Sequence, residues 1–324
     1  MPYFLTKNHV FLILLAISGC FFNHKMQLWQ LTNQEASSLS LSRDGRFALA
    51  FSKVNGIVLW DLKQNEKLAD LGAQDPNNNT VIASRISDNK RYAITATTQN
   101  FAVWDLAWGQ ANGLWSISDG KVKDVDIAND GKQLVLALTN KKALYLDLTT
   151  GRRLEFLAHK EAVNSVAISP NGDFVLSGGN DHHAYLWHTK TGQIIRNFEL
   201  QHRVNLVALH RNGLYAFSSD VKGNAFIWDL KTGAKRTELH SIYRFLTYSC
   251  ARFSDDGNYI ATGTPSGRVE YWRTQNGDNL ERWVVTNQTE LKQKSVVVLD
   301  VAIDEMQRII ATGSNGTAQA WAIN

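Results

Sequence analysis

The chain has 324 residues, 44% hydrophobic and 20% charged, a balance that excludes intrinsic disorder and collagen-like or low-complexity architecture. Its 34 basic and 30 acidic residues leave a formal charge of +4 with no long basic run, so nucleic acid is not an expected partner. Two cysteines, Cys20 and Cys250, are too few for a disulfide framework.

Residues 1–20 read MPYFLTKNHVFLILLAISGC. Lys7 and the amine give a weakly positive start, the apolar run Val10 to Ile17 follows, and small residues end it, as at a signal-peptide cleavage site. A bilayer core of roughly 30 Å takes about 20 apolar residues to cross, so this run is too short for a membrane-spanning helix. A buried N-terminal helix, or an uncleaved anchor extended through Phe21 and Phe22, is the plainer alternative. The sequence Ile17-Ser18-Gly19-Cys20 resembles the lipobox of bacterial lipoproteins. That resemblance implies a signal peptide over 1–19, cleavage before Cys20, acylation of its thiol and new amine, and a lipidated linker over 20–25. A lipid bilayer is then a partner through acylated Cys20. Phe21 stands where an Asp would retain a lipoprotein at the inner membrane in the enterobacterial pattern, so the outer membrane of a bacterial envelope is favoured.

Beyond the linker the sequence repeats. Trp60, Trp104, Leu146, Trp187, Trp228, Trp272 and Trp321 each end a similar apolar run, at spacings of 44, 42, 41, 41, 44 and 49 residues. Within each period, short β-rich runs are divided by turn residues. Asp44-Gly45, Asp130-Gly131, Asn171-Gly172, Asn212-Gly213 and Asp256-Gly257 lie sixteen positions before their anchors and predict tight hairpins. The repeats around Asp88-Asn89 and Glu305-Met306 fit with one residue deleted. Five positions after the anchors stand Asn65, Gly109, Gly151, Gly192, Gly233 and Gly277, residue types that accept positive φ.

These residues resemble the WD-repeat β-propeller family over nearly all of 26–324. The resemblance implies an all-β fold, a seven-bladed propeller, and a hydrogen-bonded tetrad of His, Ser or Thr, Asp and Trp. The fourth repeat carries all four as His159, Ser177, Asp181 and Trp187. The fifth has His202, Ser218 and Trp228 with Lys222 in the Asp slot; the sixth has His240, Thr262 and Trp272 with Ser266 there. The first three repeats lack the tetrad. Because the chain stops three residues after Trp321, the last blade lacks an outer strand, which Met26–Leu31 is expected to supply, closing the ring.

No P-loop, Rossmann glycine pattern or HExxH site appears, and no cofactor or metal is expected. His182 and His183 are adjacent, so on a strand they point to opposite faces. Asp61, Asp105, Asp147 and Asp229 read as turn residues. Strand alternation puts Arg85, Asp124, Asp126, Arg252 and Asp300 on the central channel, either as solvated or paired charges or as a site for a cation or small polar ligand. The face carrying the loops into the inner strands, where WD-repeat proteins commonly bind partners, bears Lys160, His182, Arg203, Lys222 and Arg244, either an ordinary solvated rim or a basic one suited to an acidic partner or anionic headgroups. The function expected is a membrane-tethered, non-enzymatic protein-interaction platform. The alternative is an enzyme or small-ligand binder using the channel.

Overall fold

Hairpins form where the turn chemistry permits a left-handed residue. In the computed structural model, which describes residues 27–72, 80–243, 246–286 and 296–323, Gly45, Gly131, Gly172, Gly213 and Gly257 have φ between 67° and 76°. Asn65, Gly109, Gly151, Gly192, Gly233 and Gly277 have φ between 55° and 79°. Two hairpins achieve the same turn without glycine, with Lys90 at φ 68° and Gln307 at φ 57°. In the second repeat the first turn keeps its length, Ser87 N bonding to Tyr92 O as Ser42 N bonds to Phe47 O. Its missing residue falls in the next turn, where two residues separate Thr97 from Asn100, joined by Thr97 N to Asn100 O, against three between the paired Ser52 and Gly56. In the seventh repeat the turn itself is short, Asp304 N bonding to Arg308 O.

The described residues form 28 strands in seven four-stranded antiparallel sheets, the blades. Six blades are runs of four consecutive strands. The seventh takes Val298–Ile303, Arg308–Gly313 and Thr317–Ala322 from the end of the chain and Gln27–Gln30 from its beginning, with Trp29 opposite Ala318. Each innermost strand packs beside the innermost strand of the next blade, and Val298–Ile303 returns to Ala36–Leu41 to close the ring. Two indoles lock that closure. Trp29 Nε1 donates to Leu62 O (2.8 Å), and Trp60 Nε1 donates to Leu31 O (3.0 Å).

Both faces of each blade are apolar because the hydrophobic core lies between blades. Seven buried clusters occupy the seven interfaces, from the Trp29–Leu39–Ile310 cluster at the closure to the Val269–Val301–Trp321 cluster between the sixth and seventh blades. The anchor Trp187 is fully buried and stacks on Phe156 of the third blade, centroids 4.7 Å apart and planes 4° from parallel. Burying one such side chain stabilises by roughly 1.5–3 kcal/mol. Residues 1–19, expected above to be a signal peptide, residues 20–25 with Cys20, Met26 and Arg244 lie outside the described residues.

Candidate functional site

The fourth blade holds one continuous hydrogen-bonded chain. Asp181 accepts from His159 Nδ1 (3.0 Å), His159 Nε2 lies 2.9 Å from Ser177 Oγ, and Trp187 Nε1 donates to Ser177 Oγ (3.2 Å). A carboxylate only accepts and an indole only donates, so His159 Nδ1 carries a proton towards Asp181 and Ser177 Oγ accepts from Trp187. Burial opposes the Asp181 charge, but His159 and the backbone N–H groups of Lys160 and His183 outweigh it, holding the carboxyl below its ordinary range. The four residues tie the loop at 157–162 to the turn at 180–182. Shorter versions recur where Trp104 donates to Thr95, Trp228 to Ser218 and Trp272 to Thr262, at 2.8, 2.8 and 2.9 Å. The Trp104–Thr95 pair belongs to a repeat whose sequence shows no tetrad. In the fifth blade Asp220 organises the turn instead, accepting from Lys222 N (2.8 Å) and Asn224 N (3.1 Å). His182 is not on a strand: it is a turn residue at φ 72°, and His183 begins the strand His183–His188. Among the described residues no group of three or more metal-ligating side chains converges. Asp61, Asp105, Asp147 and Asp229 each accept from backbone N–H groups of the turns that follow them.

The central channel consists of two hollows of about 220 and 140 Å³ that share Arg85 and Leu206. Asp124 lines the first, Asp126, Arg252 and Asp300 the second. The three carboxylates turn sideways into the ring wall. Asp124 Oδ2 accepts from Ser165 Oγ (3.0 Å) and Val166 N (3.1 Å), and Asp126 Oδ2 accepts from Ile168 N (2.8 Å), so the third blade clasps the fourth. Asp300 Oδ2 accepts from Leu41 N (2.9 Å), clasping the seventh blade to the first. Arg85 pairs with Asp124 at 3.3 Å and Arg252 with Asp300 at 2.8 Å. Burial raises the pKa of Asp126 to about 6, against the pull of Arg85 and its two backbone bonds. Burial likewise pushes the Cys250 thiol up, as expected of an inert cysteine.

Five innermost strands carry a register shift across their second residue, at Ser37, Lys123, Asn164, Asn205 and Leu299. A bulge re-aims the side chain of its extra residue. At three of the five that side chain bonds to the backbone of the next blade: Ser37 donates to Val81 O, Asn164 to Val204 O and Asn205 to Tyr248 O, each at 2.7 Å. Ser249, in the equivalent position, donates to Val298 O at 2.6 Å. The channel wall is therefore a ring of latches, and a ligand binding its acids must compete with backbone N–H groups.

Four residues that the sequence reading passed over close one mouth of the channel. Arg43, Asp88, Arg211 and Asp255 occupy the same position in the first turns of the first, second, fifth and sixth blades. Arg43 pairs with Asp88 (3.3 Å) and Asp255 (2.6 Å), and Arg211 pairs with the same two acids (2.7 and 3.3 Å). The four alternate in sign and join residues 123 and 212 positions apart. Beside them opens a cleft of about 500 Å³ lined by both charge signs, including Lys90, Asp256 and Asp304, with Tyr259 and Tyr271.

On the opposite face Lys160, His182, Arg203 and Lys222 are all exposed, spread over the fourth and fifth blades. The same face of the third blade adds exposed Lys121, Lys123 and Lys141, which the sequence reading missed. Lys121 was findable, since it precedes Val122 as Arg203 precedes Val204. The acids of this sector are largely engaged: Asp119 pairs with Lys142 (2.5 Å), Asp181 with His159, and Asp220 is buried under its turn. Glu161 is exposed among the cations.

Residues 151–188 match the family described as WD domain, G-beta repeat, a segment that contains all four members of the His159–Trp187 network. The chain is also similar to Autophagy-related protein 16 of Arabidopsis thaliana, at 25% identity over 158 residues, or 48% of this chain. The match covers 30% of that protein, so the likeness spans less than a third of the relative's length. Seven four-stranded sheets closed into a ring, with a repeat-family match centred on the fourth blade, make this chain an all-β, seven-bladed β-propeller with a WD repeat.

Proposed function

We propose that this propeller is a non-enzymatic interaction platform that binds an acidic protein surface on its basic face and is tethered to a bacterial envelope by lipid on Cys20. The observation that carries the binding half is the charge on that face. Lys121, Lys123, Lys141, Lys160, Arg203 and Lys222 stand exposed across three adjacent blades while Asp119 and Asp181 are paired. Charges held on a rigid ring keep their spacing, so they steer an acidic partner and select its register. The opposite mouth is spanned by the Arg43–Asp88–Arg211–Asp255 cluster, which supports approach from the basic side.

The tether rests on the lipobox resemblance of residues 17–20 and on position. Cys20 lies a few residues before Gln27, which starts the outer strand of the seventh blade, so the lipid holds the propeller by its rim and leaves both faces open. Acyl chains contribute about 0.8 kcal/mol per buried CH2. Phe21 after the cysteine favours the outer membrane.

The test is affinity capture of the C-terminally tagged full chain from detergent-solubilised envelopes, with quantitative mass spectrometry. A near-stoichiometric partner is expected, released by salt and lost when Lys121, Lys160, Arg203 and Lys222 are reversed to Glu. Capture that neither salt nor charge reversal affects, or no partner even after crosslinking, overturns the platform reading. Metabolic lipid labelling of the wild type that is absent from Cys20→Ser supports the tether; equal labelling of both removes it.

A further inference from the structure

In five blades the second strand begins with an aromatic residue: Phe47, Tyr92, Phe174, Tyr215 and Tyr259. Three of these rings carry a cation of the same chain, Arg46 over Phe47 (4.9 Å), Arg91 over Tyr92 (5.2 Å) and Arg236 over Tyr215 (4.7 Å). Phe174 meets His188 edge-on. Tyr259, in the sixth blade, stacks on Tyr271 at 5.1 Å and 24°, and among the described residues no cation stands over it.

Both tyrosines line the cleft of about 500 Å³ beside the Arg43–Asp88–Arg211–Asp255 cluster. The cleft lies where the first turn of the seventh blade is shorter than that of the sixth, Asp304 N bonding to Arg308 O where Ser254 N bonds to Tyr259 O. Most of its charges are matched. Arg43 and Arg211 hold Asp88 and Asp255, Lys90 holds Asp44 (2.7 Å), and Arg308 holds Asp304 (2.7 Å). Asp256 and Glu305, on these two adjoining turns, line the cleft exposed and with no cationic partner among the described residues. Asp256 accepts from Ser254 and Asn258 of its own turn, and a carboxylate has lone pairs to spare. Tyr271 is 2% exposed, yet its hydroxyl has no hydrogen-bond partner among the described residues. Burial, with Tyr259, Asp256 and Glu281 nearby, pushes this phenol up, so the hydroxyl stays protonated and its oxygen is free to accept.

We propose that this cleft binds a small aliphatic diamine, its two ammonium groups pairing with Asp256 and Glu305 and its carbon chain lying along Tyr259 and Tyr271. Two unmatched carboxylates call for two cationic centres on one ligand. The ring of Tyr259 offers an ammonium the place that an arginine takes in the first, second and fifth blades. The Tyr271 oxygen accepts from the same group, and the methylenes cover aromatic surface. The volume is that of a small-molecule site, which spans roughly 300–1,000 Å³.

Isothermal titration calorimetry of the full chain in mild detergent at low salt, with putrescine as the probe, tests this. Saturable binding is expected, several-fold weaker for butylamine, which has the same chain and a single charge, and absent for butanediol. Asp256→Asn with Glu305→Gln is expected to weaken putrescine binding about tenfold. Tyr271→Phe, which keeps the ring and removes the hydroxyl, is expected to weaken it about fivefold. Circular dichroism matching the wild type shows that each variant is folded. Glu305→Gln alone, at an exposed turn residue, is expected to lose about threefold and serves if the double variant does not fold. Paired lysines of a protein offer the same two cations, so acetyl-Lys-Gly-Lys-amide is titrated alongside and is expected to bind more weakly than putrescine. No putrescine binding, butylamine or butanediol binding as tightly as putrescine, unchanged affinity in the acid variants or in Tyr271→Phe, or tighter binding of the peptide overturns the proposal.

Discussion

Asp300 clasps the seventh blade to the first across the ring closure, and its removal tests whether these carboxylates build the ring. One oxygen accepts from Leu41 N (2.9 Å) of the first blade and from Arg252 (2.8 Å) of the sixth; the other accepts from Val301 N (2.9 Å). The residue is 6% exposed. Asp300→Ala leaves two backbone N–H groups without an acceptor, at about 1–3 kcal/mol each, while Arg252 keeps its bond to Leu41 O. A loss of about 4 kcal/mol is expected on that basis, with Asp300→Asn, which retains one carbonyl oxygen, losing about half as much. Urea unfolding of the wild type and both variants, followed by tryptophan fluorescence, measures this. A loss for Asp300→Ala below about 1 kcal/mol refutes the reasoning, because channel water would then replace the carboxylate at little cost.

Two further outcomes follow from single positions. Gly131 and Gly213 share a left-handed backbone, φ 68° and 67°, but a Cβ at Gly131 falls 2.3 Å from the Tyr92 ring whereas Gly213 faces open space. Alanine at either should cost about 1 kcal/mol of backbone strain, with roughly 1–3 kcal/mol more at Gly131 from overpacking; equal losses in unfolding midpoint would sink the packing argument. Asp126, with a folded pKa of about 6 against an ordinary 3.8, binds its proton more tightly folded than unfolded. Stability should therefore rise as pH falls from about 6 towards 4, by at most about 3 kcal/mol, and Asp126→Asn should flatten that segment of the profile. Parallel pH profiles for the two proteins would refute it.

Position by position, the residues show which features could be read in advance. Positive φ is a property of one residue, so the Gly45 and Gly109 columns marked their turns before any fold was known. Lys90 and Gln307 escaped because a side-chain-bearing residue can occupy the same backbone when its hairpin demands it. Alternation along a strand is equally local, and it placed Asp124, Asp126 and Asp300 on the channel once one strand was oriented. It did not foresee that they point into the next blade, nor that Asn164 and Asn205 latch the ring, because the direction of a bulged side chain depends on the register of its partner strand.

What the sequence determined by itself is the repeat: its turns, its apolar runs, and the missing outer strand that Trp29 and its neighbours complete. These are set by interactions within about forty residues, and their chemistry shows in residue type and spacing. What only the tertiary structure decided is which repeats meet. Arg43, Asp88, Arg211 and Asp255 fall in one column of the repeat and look there like ordinary turn charges. They form a single cluster because a ring of seven blades brings the first turns of the first, second, fifth and sixth to one narrow mouth, where opposite charges come within 3.3 Å.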